Sequence, residues 1–294
     1  MDVATYMAWI TLGAVIVLLA EIVAGRHKGV YGRKGEFRLI GINMALGRFL
    51  IGPAMAIVVA AIWGGLFPRY QGALQAMPFW LALPLVMLTA EFCFYWVHRW
   101  AHQGVMTRSL LWMIHRTHHS STYMNVSVWM RLNIFWYVII PNAWTMSLAI
   151  YLGLGKAAGI TMVLNAAWNV ITHSDFRWDD AIRRHRLFGP LFRAVEHVIV
   201  SPGIHHTHHG FGKDGASYRN FGVMLSVWDW VFGTLHIPDG RPHRYGLPGH
   251  DAHWLEELAY PLVRISQTKT PEGPHIGVRS PCPSRYQDRR TAGE

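Results

Sequence analysis

Apolar stretches separated by polar intervals set the layout of the chain. A hydrocarbon core needs about 20 apolar residues of helix. Runs of that length cover Ala4 to Ala24, Ile42 to Phe67 and Met77 to Val97. After a polar interval come Leu132 to Leu154 and the shorter Ala157 to Thr172, with a Gly153-Leu154-Gly155-Lys156 link that reads as a turn. The first three runs carry a single charge each, at Glu21, Arg48 and Glu91. The pattern predicts an all-α integral membrane helical bundle of four or five spans. The first run reads as a retained span, not a signal peptide, because Asp2 and no Lys or Arg precedes it and the stretch is long.

Basic residues orient the bundle. Arg26, Lys28, Arg33, Lys34 and Arg38 lie between the first two runs, against Arg69 alone between the second and third. The positive-inside rule therefore puts the first loop in the cytoplasm and the amino terminus outside. The third span then ends in the cytoplasm at His98, and the last pair returns the chain at His173 to the same side. The expectation is a cytoplasmic helical cap from there on. Residues 1–266 form a membrane-embedded domain, and 267–294 a polar tail without hydrophobic periodicity.

Composition agrees with this layout. The 294 residues are 51% hydrophobic and 15% charged, with a mean hydropathy of +0.17. An average soluble domain is roughly 25% charged. Cys93 and Cys282 have no CxxC spacing and cannot make a disulfide scaffold. The net charge of +10 sits beside apolar runs and in the tail, which points to membrane orientation and anionic lipid and away from nucleic acid.

The informative chemistry is histidine. Of eighteen, eight fall in three groups: His98 and His102; His115, His118 and His119; His205, His208 and His209. At about 100° per residue, positions i, i+3 and i+4 of a helix share one face. Each group therefore aims its imidazoles at one spot, and His206 points away. Eight imidazoles exceed the three or four ligands of one zinc site, so two metals are the natural count. Imidazole suits iron, zinc, copper and nickel alike. Neutral ligands leave the charge of two divalent ions uncompensated, so carboxylates are expected behind them, accepting imidazole N–H bonds. Glu91, seven residues before His98, is one candidate; Asp175, Glu196 and Asp229 are others.

These segments resemble the fatty acid hydroxylase/sterol desaturase superfamily of integral membrane di-iron enzymes. The resemblance runs from about Glu91 to Pro238, the expected catalytic core. Glu91 to Arg99 (EFCFYWVHR) is similar to the family's DFxxYWxHR, with Glu in place of Asp. His115 to Ser121 (HRTHHSS), with Asn125 and Arg131, is similar to HxxHHSx…N…R. Ser201 to Gly210 (SPGIHHTHHG), then Asn220 to Gly222 and Trp228 to Thr234 (WDWVFGT), is similar to TPxxHxxHH, NFG and WDxxFGT. The spelling of the second and third boxes is nearest to alkylglycerol monooxygenase-type members.

The resemblance implies that His98, His102, His115, His118, His119, His205, His208 and His209 ligate two irons, for which zinc can substitute in purified protein. His173 takes the family's single-histidine position as a ninth ligand. Its neighbours Ser174 and Asp175 depart from the usual HxN or HTE. Asn125 and Asn220 join the carboxylates as supporting residues. The implied reaction is O2-dependent hydroxylation or desaturation of an unactivated C–H bond in a lipid: fatty acyl, ether lipid, sterol or carotenoid. No flavin, haem or iron–sulfur motif is present, so a separate reductase, ferredoxin or cytochrome must supply electrons. Arg183, Arg184 and Arg186 offer a docking surface or a plain solvated or lipid-facing one. Trp129, Trp136 and Trp168 line the lipid's route or simply pack. Two other readings share the histidines: a membrane zinc or divalent-metal transporter or sensor, and a dinuclear zinc hydrolase. A transporter would place ionisable groups near mid-bilayer, whereas these clusters sit beyond the ends of apolar runs. A hydrolase would want a bridging carboxylate and a general base.

Overall fold

The computed structural model describes residues 3–25, 35–105 and 107–265. The basic positions 26, 28, 33 and 34, the tail from 267 and Cys282 lie outside the described residues. Among the described residues helices and the loops that join them make up the fold, and the one sheet is a ribbon of two two-residue strands. Helix α1 is Val3–Val23, and α2 (Glu36–Leu46) continues through a π-helical turn at Gly47–Ile51 into α3 (Gly52–Leu66). Then come α4 (Phe79–Gln103) and α5 (Leu110–His119), a 3₁₀ turn at Val126–Met130, and α6 (Trp136–Ile139). They are followed by α7 (Pro141–Tyr151), α8 (Gly155–His173), α9 (Trp178–Arg184), α10 (Phe188–Val195) and α11 (Pro202–His209). Strand β1 (Gly210–Phe211) pairs antiparallel with β2 (Arg244–Tyr245), aligning Gly210 with Tyr245. Helices α12 (Val227–Val231) and α13 (Trp254–Ala259) are the last among the described residues.

Helices α1, α3, α4, α7 and α8 form the long body: α4 packs on α7 and α8, α3 on α7, and α1 on α8. Ala82, Val86 and Ala90 of α4 meet Met146 and Ala149 of α7 and Ala157 and Ala158 of α8. Small side chains let these backbones approach closely. The outer surface stays apolar, with Trp9, Ile16, Ile57, Trp80 and Leu85 exposed. Among the described residues two helices are long and apolar enough to cross a membrane, Glu36–Leu66 with mean hydropathy 2.1 and Phe79–Gln103 with 1.6. The apolar part of the first helix, Ala8–Val23, is shorter.

One expected span differs. Residues 132–154 are not a continuous helix: α6 stops at Ile139, Ile140 turns extended (ψ 122°), and α7 restarts at Pro141. A proline disfavours helical geometry in the residue before it and has no N–H to donate. Helix α7 is about 16 Å long at 1.5 Å per residue, short of a bilayer core. It turns back into α8 through Gly153, whose φ of 94° and approach to the Gln75 backbone leave no room for a Cβ.

Glu21, the lone acid of the first run, is fully buried. Its carboxylate accepts from the backbone N–H of Val126 (3.2 Å) and Asp175 (2.6 Å). These segments follow α5 and α8, so α1 is pinned to the end of the bundle where the histidines collect. The shorter helices gather at that end: α11 lies on α8 and α9, α12 on α4, and α13 on α2.

Candidate metal centre

Four helices deliver the histidines. His98 and His102 occupy the last two turns of α4, and His173 ends α8. His115, His118 and His119 lie in the final turns of α5, whose start is capped by Ser109 accepting from the Trp112 N–H at 3.3 Å. His205, His208 and His209 fill α11, which starts at Pro202 with the Ser201 hydroxyl accepting from the Ile204 N–H. Proline at the first helical position and serine just before it are favoured start signals. The helical spacing read from sequence therefore holds.

All nine side chains converge in two neighbouring groups. One contains His98, His102, His115, His119 and His208, the other His118, His173, His205 and His209. Within each group the ring nitrogens offered lie within 4.8 Å of one another. Helices α5 and α11 each contribute to both. His206, fully buried, belongs to neither; its Nδ1 meets the Tyr245 hydroxyl at 3.3 Å instead.

The tautomers follow from the hydrogen bonds. His98, His208 and His173 donate Nδ1–H to the carbonyls of Phe221 (2.7 Å), Arg219 (2.7 Å) and Asn169 (2.9 Å). A neutral imidazole with its proton on Nδ1 carries a lone pair on Nε2. The His98 and His208 Nε2 atoms nevertheless stand 3.0 Å apart, and His173 Nε2 is 3.1 Å from that of His205 and 3.4 Å from that of His118. In the His98–His208 pair both lone pairs face each other, and two facing lone pairs repel unless a cation lies between them. Ligands about 2.1 Å from one ion stand roughly 3.0 to 3.4 Å from each other in octahedral or tetrahedral geometry, so the nine imidazoles fit two metal ions. Burial, and then the neighbouring imidazoles, lower His115, His118, His119, His205, His208 and His209 well below the usual range. They stay neutral, the state that holding a metal ion requires.

The carboxylates act at one remove from the expected position. The Nδ1 protons of His98, His208 and His173 go to backbone carbonyls, and the acids hold the backbone. Asp229 accepts from the N–H of Phe221 (2.8 Å) and Gly222 (2.7 Å), fixing the peptide whose carbonyl orients His98. Glu91 accepts from the N–H of Met224 and Leu225, both at 3.0 Å. Glu196 accepts from Ser201, the α11 cap, at 2.5 Å. Asp175 pairs with Arg177 at 3.4 Å. Asn220, in left-handed geometry at φ 60°, donates to the Ile204 carbonyl of α11. Asn125 accepts from Ser127 N–H at 2.9 Å and caps the 3₁₀ turn.

Two buried ion networks brace the histidine helices and escaped the sequence reading. Arg131, 1% exposed, pairs with Glu36 (2.8 Å) and Glu257 (3.3 Å), and donates to the Thr117 carbonyl and the Ser120 hydroxyl of the second box. Arg183 pairs with Asp179 (3.1 Å), Asp180 (2.9 Å) and Glu196 (2.5 Å). Asp179 in turn accepts from the Gly203 N–H of α11 and pairs with Arg241. Arg183 is thus buried structure and no part of a docking surface, while Arg184 and Arg186 are exposed. Trp136 packs inside, its ring 4.6 Å from that of His115. Trp168 donates to the Val200 carbonyl, and Trp129 packs beside Ala14 and Val126.

Comparison with known proteins agrees with this geometry. Residues 83–234, just over half of the chain, match the family model for fatty acid hydroxylase. Alkylglycerol monooxygenase of Danio rerio is 27% identical over 198 residues, which are 64% of this chain and 38% of the relative. The Homo sapiens alkylglycerol monooxygenase is 27% identical over 159 residues, 52% of this chain and 30% of the relative. The chain thus spans about a third of the length of these curated relatives. No solved structure matches. The apolar helices, the buried histidines and the family match agree on a histidine-box membrane protein, and the chain belongs to the fatty acid hydroxylase family.

Proposed function

We propose that the chain is an O2-dependent lipid oxygenase, hydroxylating or desaturating an unactivated C–H position, with His98, His102, His115, His118, His119, His173, His205, His208 and His209 as ligands of two irons. The convergence of nine buried imidazoles, with the His98 and His208 lone pairs face to face, carries this reading. When bound, the irons supply the activation of O2, using electrons from a separate donor protein. The protein's part is to hold neutral imidazoles in one tautomer through the Phe221, Arg219 and Asn169 carbonyls. Phe94, Ile114, Trp136 and Val223 form an apolar wall beside His98 and His115 that keeps water from the centre and suits an acyl chain or ring system.

In this reading α1, the α2–α3 helix, α4 and the α7–α8 hairpin make up the membrane part, with the centre and carboxyl terminus on the cytoplasmic side. The catalytic core is 91–238 within a domain of 1–266. An alkylglycerol-type ether lipid heads the substrate classes, since the relatives carry that name.

Lipid profiling of cells with and without the protein tests the function. The expected product has gained one oxygen atom or lost two hydrogens, and it is absent with His205→Ala. In purified form sustained turnover requires a reductase system or chemical reductant. Product formation without O2 or reductant would replace the oxygenase with a zinc hydrolase. Stoichiometric metal uptake into vesicles would favour a transporter.

A further inference from the structure

Helix α10 carries an apolar face that no other part of the described chain covers. Phe188, Leu191 and Val195 follow at spacings of three and four, with Leu187 before them and Val198 after, at 59, 66, 41, 75 and 46% exposure. The opposite side carries the polar residues and the contacts with the rest of the protein. Phe192 meets Trp178 edge-on at 5.9 Å, Arg193 pairs with Asp239 at 2.7 Å, and Glu196 is buried against Arg183. A short helix so divided suits a boundary between two media.

The flanks name the second medium. Arg184 and Arg186 are exposed at the amino end of the face and make no ion pair among the described residues. Trp178 and Trp230 border it, 40 and 57% exposed, the latter through His197 at 5.3 Å. Apolar side chains on one face, tryptophans at the rim and free arginines beside them match the layers of a bilayer surface: acyl chains, interface and anionic headgroups.

We propose that α10 lies in the plane of the lipid–water interface, with Leu187, Phe188, Leu191, Val195 and Val198 among the acyl chains and Arg184 and Arg186 on anionic headgroups. This rests on the membrane reading of the chain and adds a depth to it. Glu196, directly after α10, holds the Ser201 cap of α11 at 2.5 Å, and Arg183 ties both to Asp179. Anchoring α10 therefore sets the level of His205, His208 and His209 against the bilayer surface, within reach of a lipid that stays in its leaflet.

The test uses the full chain in nanodiscs, with Cys93 and Cys282 replaced by Ser and a fluorophore on one introduced cysteine: Leu191→Cys, Leu85→Cys or Lys213→Cys. The Leu191 label is expected to be quenched by lipids with a nitroxide near the headgroup and shielded from aqueous iodide, with the Lys213 label open to iodide. A Leu191 label as open to iodide as Lys213 overturns the proposal. So does one shielded from iodide without lipid quenching, which would signify a second copy or a protein partner. Loss of lipid quenching at Leu85, on the outer face of α4, would instead overturn the membrane reading itself. Anionic lipid is expected to deepen quenching at Leu191, and Arg184→Ser with Arg186→Ser to abolish that gain; a gain that survives overturns the headgroup contact.

Discussion

At the scale of single residues, neighbours in one helix do different work. His205 lies among the converging imidazoles, whereas His206 is buried against Tyr245 on the other side. His205→Ala is expected to lower bound metal and abolish turnover. His206→Ala should keep its metal and lose about 1–3 kcal/mol of stability, the scale of removing a buried polar side chain. Metal content by elemental analysis and the unfolding midpoint check the pair. Equal metal loss in both would place His206 among the ligands. Arg131 has a comparable but purely structural importance. Arg131→Met leaves Glu36 and Glu257 buried without their cation, and breaking such a pair costs about 3–5 kcal/mol. Denaturant unfolding should show that loss.

At the scale of elements, the second histidine helix is held from outside. The α13 residue Glu257 accepts from Ser120 at 2.6 Å and pairs with Arg131, and its backbone carbonyl accepts from Thr117. Burial raises its pKa, but Arg131, His250 and Ser120 outweigh burial and hold it at about 2. A carboxyl with a depressed folded value contributes stability that is fully present above its unfolded pKa. That contribution is lost as pH falls from about 4.5 through about 2. Thermal unfolding followed from pH 6 down to pH 3 should fall more steeply for the native chain than for Glu257→Gln, which starts lower; parallel slopes would remove Glu257 from the acid transition. The sequence reveals α5 and α11 because HxxHH repeats a helix's own period. It hides α13 from them, because Thr117 and Glu257 lie 140 residues apart. The break at Pro141 was visible as a residue, yet an unbroken apolar run outweighs it when hydropathy alone sets the span. The carboxylates were legible as participants and not as to where they act: a charge far along the chain gives no sign of whether it meets an imidazole or the peptide behind one.

At the scale of the whole molecule, the metal centre is where distant parts of the chain are joined. Helix α4 arrives from the apolar body, α8 ends there, and α5 and α11 each serve both groups. Without a cation, the His98 and His208 lone pairs 3.0 Å apart push α4 and α11 away from each other. With one, the same contacts become the strongest ties between them. Metal bound only by the folded form stabilises it by mass action, about 4 kcal/mol at a thousandfold excess over the dissociation constant. Protein prepared anaerobically with iron should therefore carry about two metals per chain, and its unfolding midpoint should drop when a chelator strips them and recover when iron is restored. Hydrogen exchange should rise most, on stripping, in 110–119 and 202–209, because α5 and α11 are short and depend on both groups. The body formed by α4, α7 and α8 keeps its alanine-lined contacts in either state and should change little. A stripped protein with the midpoint and exchange pattern of the loaded one would mean that the imidazoles hold together without metal, and would take the two-ion reading with it.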